Sequence, residues 1–281
     1  MPKPKEYLQR KATEKVAQKL PAPVLDALGK AMLKGIDKAV TTRWERALGK
    51  AARAEGATVD ARARWVTRSF IRELTSLGAA TGATAAAPGL GTASAASVMV
   101  ADMGWFALRT TDLIMTIGAV HGHTDASPEE RRAWVLAILA FGENAANELA
   151  ELATEIRGTS AGASGGARAT AGRERVGALV AGAASGDVAT IDALRKLNAS
   201  LAVRVTERWG TRAGAESVGK LLPFGIGAVV GGSANWALTR AAGLQARRFF
   251  IQYHLLVVPP PPSIPPPPAA DAPALPAPTG P

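Results

Sequence analysis

The chain has 281 residues, 47% of them hydrophobic, a net charge of +10 and no cysteine. The missing thiols exclude a disulfide framework, a thiolate metal site and a cysteine nucleophile. Ala and Gly supply much of the apolar share, helix formers dominate and alternating β-branched runs are scarce. These features predict an all-α helical bundle of one or two domains.

The charge is unevenly placed. Residues 1–72 carry 17 Lys or Arg against 7 Asp or Glu, whereas residues 73–281 carry 16 of each. All the surplus positive charge therefore precedes residue 73, which points to an anionic surface, either lipid head groups or nucleic acid. A solvated basic helix face is the plain alternative. Nucleic acid is not an expected partner, because the basic residues lack interleaved aromatics and any recognisable reading module. Met1 is followed by charged residues with no apolar h-region, so no secretory signal is expected.

Residues 1–22 form a basic N-terminal arm, helical over 5–20 and ended by Pro21. Lys11, Lys15 and Lys19 share one face at four-residue spacing and are the expected contacts to an anionic surface. Residues 23–258 form the main all-α domain. Its first helix is expected over 23–54, where Val24, Leu28, Met32, Ile36, Val40, Trp44 and Leu48 recur every four residues. A second is expected over 58–77, with Val66, Phe70, Leu74 and Leu77 on one side and Arg62, Arg64, Arg68 and Arg72 over the remainder.

Residues 74–101 carry no charge and lie between Glu73 and Asp102. The stretch is long enough to cross a bilayer, for which about 20 residues suffice. Its side chains are mostly Ala, Gly, Thr and Ser, so burial in lipid would gain little. Gly78 and Gly82 form a G-x-x-x-G pair that permits close helix approach. The run Ala87-Pro88-Gly89-Leu90-Gly91 breaks the stretch into a small-residue helical hairpin, the expected centre of the arrangement.

A helix is then predicted over 92–120. Asp102, Arg109, Asp112 and Thr116 fall within about a quarter-turn of one another at 100° per residue, and Arg109 and Asp112 can pair at i,i+3. A charged stripe on an apolar helix must be paired if buried. It is either a structural ion pair or a functional polar channel. His121-Gly122-His123-Thr124-Asp125 is a loop in which H-x-H beside a carboxylate could seed a metal site. It lacks a placed third ligand, and Gly122 serves as a helix terminator.

Ser127-Pro128-Glu129-Glu130 is the sharpest local signal. Ser fits the N-cap, Pro fits N1, and the two Glu sit where the helix dipole favours anions. The helix is expected to run to residue 157. Glu143, Asn144, Asn147, Glu148, Glu151 and Glu155 crowd its second half, either as a solvated face or as oxygen donors for a hard cation. Residues 159–172 read as a flexible Gly/Ala/Ser linker. A helix N-capped by Asp187 is expected to end at Trp209. Gly227 and Gly231 form a second G-x-x-x-G within the uncharged window 221–239. The helix then turns basic and aromatic at Arg240, Arg247, Arg248, Phe249, Phe250 and Tyr253. Residues 259–281 form a proline-rich tail, expected to be extended and disordered. There is no P-loop, G-x-S-x-G elbow or H-E-x-x-H, and no cofactor is expected.

Four passages together resemble the EcsC protein family. They are Gly78-Ala79-Ala80-Thr81-Gly82 through Pro88-Gly89-Leu90-Gly91; Ala101-Asp102 and the apolar helix to His121-Gly122; Pro128-Glu129-Glu130-Arg131 into Leu136-Ala137-Ile138-Leu139; and Leu222-Pro223-Phe224-Gly225-Ile226-Gly227 through Ala234-Asn235-Trp236. The resemblance covers roughly residues 45–255. It implies a mainly bacterial protein of a family with no established activity, so it carries no catalytic residue over to this chain.

The leading expectation is a non-enzymatic, membrane-associated helical protein on the cytoplasmic leaflet, peripheral or shallowly inserted. An anionic lipid surface is its partner, with a membrane protein as the second partner class. A soluble all-α scaffold or adaptor is the first alternative, with both hairpins at the centre of a bundle. A hydrolase-like enzyme using Asp102, Arg109 and His121 is the second.

Overall fold

The computed structural model describes residues 22–85, 92–155, 165–210 and 227–257. Every regular element among them is helical, as the composition predicts. In chain order they are α1 (Ala22–Thr42), α2 (Trp44–Ala52), α3 (Val59–Ala85), α4 (Thr92–Val120), α5 (Pro128–Phe141), α6 (Ala145–Glu155), α7 (Gly165–Ala184), α8 (Val188–Trp209) and α9 (Gly227–Val257), with one 3₁₀ turn over Gly142–Asn144. The arm with Lys11, Lys15 and Lys19, the break at 86–91 and the proline-rich tail lie outside the described residues.

The helix that the others surround is α4. Every residue from Ala107 to Val120 is buried. A helix that is apolar all round must be enclosed on all sides, and α1, α2, α3, α5 and α9 all pack against this one. The uncharged stretch 74–101 supplies only the first third of α4 and the end of α3. Among the described residues the enclosed segment is the next one along, where Leu113, Ile114, Met115 and Ile117 are each no more than 1% exposed; the side chains of most of the uncharged stretch lie outside the described residues. Further pairings complete the bundle: α3 lies on α9, α5 on α8, and α6 on α7. A single core joins them, running from Met32 and Ile36 through Phe70, Trp134 and Leu149 to Leu201 and Phe250.

Local chemistry explains most boundaries. Ser127 is extended (φ −65°, ψ 158°), its hydroxyl accepts from the Glu130 amide, and Pro128 opens α5. Asp187 caps α8 in the same way through the Thr190 amide. The C-terminus of α2 is closed by a side chain from the next helix: Arg62 donates to the carbonyls of Ala51 and Ala54. Arg208 and Trp209 do the same for α5, donating to the carbonyls of Ala140 and Leu139. Each satisfies carbonyls that a helix end leaves without an internal partner.

Three expected boundaries are corrected. The helix expected over 23–54 is two helices, turned at Arg43 (φ −119°, ψ 6°), whose guanidinium is tied to Asp112. The helix expected over 127–157 is interrupted at Gly142, which adopts φ 62°, a conformation costly for any side chain with a Cβ. The linker expected over 159–172 is helical from Gly165 onward, because α7 packs on α6 so closely that a Cβ at Gly172 would sit 2.7 Å from the Ala150 carbonyl oxygen. Gly78 and Gly82 fall in α3, and Gly227 and Gly231 in α9; their surroundings lie outside the described residues. A second close crossing among the described residues joins α1 to α4, where a Cβ on Gly35 would collide with the Gly104 carbonyl.

Candidate functional site

Two polar clusters lie along the buried length of α4. The first is built on the pair the sequence singles out. Arg109 and Asp112 sit one turn apart and are each about 5% exposed. An Arg109 guanidinium nitrogen donates to Asp112 Oδ2 at 2.9 Å, and Arg43 donates to the same oxygen at 2.9 Å from the α1–α2 turn. The other guanidinium nitrogen of Arg109 meets Glu73 of α3. Lys50 of α2 donates to Glu73 Oε2 at 3.3 Å, with Arg46 3.8 Å from the other oxygen. Phe70 floors the cluster, with the Lys50 ammonium 3.7 Å and the Arg109 guanidinium 5.1 Å from its ring centroid. Both contacts are favourable cation–π geometry.

Four cations thus share two carboxylates. Burial pushes the Asp112 carboxyl up against the opposing pull of Arg43 and Arg109, and burial pulls the Lys50 ammonium down against Glu73. Both carboxylates are already held by cations, so neither stands ready as a general base. The arrangement locks α2, α3 and α4 together. The i,i+3 pair that helical spacing predicts is present, within a network of six residues on four segments.

Asp102 does not join it. This residue is exposed and has no ion-pair partner among the described residues. The helix also holds Asp102, Arg109 and His121 apart: at 1.5 Å per residue they span about 28 Å. Those three side chains therefore cannot converge on one scissile bond.

The second cluster lies where α4 ends. The chain has three histidines, and all three meet there. His121 stacks on Phe250 at 5.8 Å between centroids. The His123 ring lies 5.7 Å from Trp134 and from Phe250, 5.2 Å from Tyr253 and 6.1 Å from His254. Gly118 makes room for this packing: a Cβ there would lie 2.8 Å from Phe250 and 2.9 Å from Trp134. Burial pulls His121 and His123 down to about 4, with Asp60 opposing it at His121. Both rings are therefore neutral near pH 7.

Glu130 adjoins this cluster. It is buried, and the Tyr253 hydroxyl donates to its Oε1 at 2.9 Å. Burial raises its carboxyl above the usual range. Beside it lies a cavity of about 10 Å³, lined among others by Glu130, Leu149, Val176, Leu197 and Tyr253. That is room for a single water. No group of three His, Cys, Asp or Glu side chains is placed to hold a metal among the described residues. The crowded carboxylates of α6 and its 3₁₀ turn are a solvated face, with Glu143, Glu151 and Glu155 exposed.

Sequence reasoning finds Arg109–Asp112 from helical spacing alone. It places Glu130 in the first turn, where the helix dipole favours an anion, and misses its burial against Tyr253, 123 residues away. It also leaves His254 apart from His121 and His123. The usable signal was the aromatic run Phe249, Phe250 and Tyr253, which needs a partner surface of its own. No protein-family model, no curated protein and no solved structure matches the chain. The resemblance to the EcsC family accordingly rests on the four passages quoted above.

Proposed function

We propose that this chain is a non-enzymatic helical protein that associates peripherally with an anionic membrane surface, as an EcsC-like protein on the cytoplasmic leaflet. The charge distribution carries this reading: the whole surplus of +10 lies before residue 73. Part of that charge is consumed internally by Arg43, Lys50 and Arg62. Lys34, Lys38, Arg53, Arg68 and Arg72 are instead exposed, with no ion-pair partner among the described residues. Such cations near an anionic leaflet contribute about 1 kcal/mol each. No described helix is long and apolar enough to cross a membrane, which favours lying on the surface over spanning. The two polar clusters support a structural role, since their acids are paired or buried.

Flotation with phosphatidylcholine vesicles, with and without phosphatidylserine and across a salt series, tests the reading. Binding that requires the anionic lipid and weakens with salt is expected. Full recovery of the chain in the unbound fraction at low salt removes it. The continuous core favours one competing reading, a scaffold that stands alone in water, and that outcome is what it anticipates.

A further inference from the structure

We infer that the outer face of the α3–α9 pair is the surface that lies on the anionic bilayer, an inference that rests on the peripheral-membrane reading above and locates it. Helix α9 has three arginines, Arg240, Arg247 and Arg248, and no Asp or Glu along its 31 residues. It also holds three of the large apolar side chains left in solvent: Trp236 at 43% exposed, Leu244 at 38% and Ile251 at 53%. At 100° per residue Trp236, Arg240, Leu244 and Ile251 fall on one side of the helix. The Arg240 guanidinium lies 5.2 Å from the Trp236 ring centroid. Arginine over tryptophan beside isolated aliphatic side chains is the composition of a helix lying at a lipid–water interface.

The neighbouring helix extends this face. Arg247 meets Asp60, and Gly243 packs on Thr67. As numbers rise along α3 they fall along α9, so the pair is antiparallel. From the Thr67 direction, Arg64, Arg68 and Arg72 lie roughly 60–140° around α3; from the Gly243 direction, the Trp236–Ile251 stripe lies roughly 20–100° around α9. Because the two helices run in opposite senses, these equal-handed rotations bring both stripes to the same side. All three α3 arginines are exposed. Among the described residues, six arginines then flank Trp236, Leu244 and Ile251, against two carboxylates: Asp60, bound to Arg64 and Arg247, and Glu143, bound to Arg248. The apolar positions from 236 to 251 span about 22 Å along the helix. A spread-out ridge of this kind fits a fluid surface rather than a concave pocket.

The test uses the full chain and phosphatidylcholine vesicles containing about 30% phosphatidylserine. Wild-type protein is expected to float with these vesicles and not with phosphatidylcholine alone. Leu244→Asp/Ile251→Asp should weaken flotation about tenfold or more, through loss of apolar contact and added repulsion. Arg68→Glu/Arg72→Glu, which alters only exposed side chains, should weaken it comparably. Val203→Asp, an exposed apolar position on α8, should leave it unchanged. The blue shift of tryptophan emission on binding should largely vanish in Trp236→Phe. If wild type floats and both double variants float equally well, this face is not the docking surface, although the membrane reading survives. A blue shift undiminished by Trp236→Phe overturns the inference in the same way. If wild type does not float, both fall together, and loss of self-association in the same variants would then assign the face to a second copy.

Discussion

The two clusters on α4 bury polar groups in opposite ways. Around Arg109 and Asp112 the groups are charged, and each charge is met by an opposite one, on the same helix or on a neighbouring segment. Around His123 the groups are neutral imidazoles packed against aromatic rings, with a buried carboxyl held by a tyrosine hydroxyl. The first solution depends on keeping every partner. The second depends on keeping protons away. They sit on the same helix, roughly 15 Å apart, so changes made at one can be read against the other as an internal standard.

The largest expected effect comes from breaking the ionic cluster. Asp112→Ala removes the carboxylate that Arg43 and Arg109 share and leaves Arg109 with Glu73 alone; removing one partner of a buried pair costs about 3–5 kcal/mol. Replacing both members of the buried pair, as Arg109→Met/Asp112→Leu, removes charge from both sides and should cost clearly less. Urea unfolding measures both. A double variant as damaged as the single one would show that the pair contributes more than mutual neutralisation.

Acidification should strike the other cluster. His121 and His123 titrate at about 4 in the fold against 6.5 when unperturbed. Between those values the unfolded chain binds protons that the folded chain refuses. Stability is therefore fully present above about pH 6.5 and lost as pH falls toward 4, on the order of 2–3 kcal/mol per ring. Glu130 and Asp112 act with the opposite sign, because their raised carboxyls favour protonation in the fold and recover part of the loss at the acid end. Thermal unfolding across pH 4–7 should show the decline. His121→Asn/His123→Asn should flatten it, whereas Arg109→Met/Asp112→Leu, which removes a carboxyl acting with the opposite sign, should not. An unchanged slope in the histidine variant would assign the acid sensitivity elsewhere.

The difference between the clusters also marks what could be read without a structure. Arg109–Asp112 was legible because both residues lie on one helix at a spacing that geometry fixes. The helix 92–120, the Ser127 cap and the Asp187 cap were legible for the same local reason. The histidine cluster was not, because it joins the end of α4 to positions on α9 well over 100 residues away. The glycine contacts divide similarly. Gly35 has neither a glycine four residues before it nor one four residues after it, so no G-x-x-x-G pattern announces that it carries the α1–α4 crossing. The kink at Arg43 contains no proline or glycine. The Arg43 guanidinium is held by Asp112, a partner 69 residues away that no local rule encodes. The helix from Gly165 is likewise held by its packing on α6, against a composition that favours a flexible chain.

Gly118→Ala should have a smaller effect, confined to the aromatic end. The added methyl would press on the Phe250 and Trp134 rings at under 3 Å. Overpacking typically costs about 1–3 kcal/mol, partly offset by the helix propensity that alanine gains. A net loss in melting temperature is expected, with a changed tryptophan near-UV signal. A net gain would mean the rings can slide, and that the second cluster is looser than its packing distances indicate.

The smallest expected effect is that of Tyr253→Phe. The ring stays in its packing against Trp134, Phe249 and Phe250; only the hydroxyl that donates to Glu130 is lost. A single hydrogen bond of this kind contributes about 1 kcal/mol net. The carboxyl is buried, however, so its response tells more than the stability change. The tyrosine donor lowers the Glu130 pKa against burial, which raises it. Without that donor the carboxyl should hold its proton to still higher pH, because the protonated form carries no charge to desolvate. The stability change should therefore shrink toward acid pH, as Glu130 takes up its proton, and grow toward alkaline pH, where the charge must otherwise be buried with one donor fewer. Carboxyl titration of Glu130 by NMR in the two proteins measures the shift directly. A downward shift in the variant would mean that water from the adjoining cavity replaces the hydroxyl as a better donor. The second cluster would then be held by solvent as well as by rings.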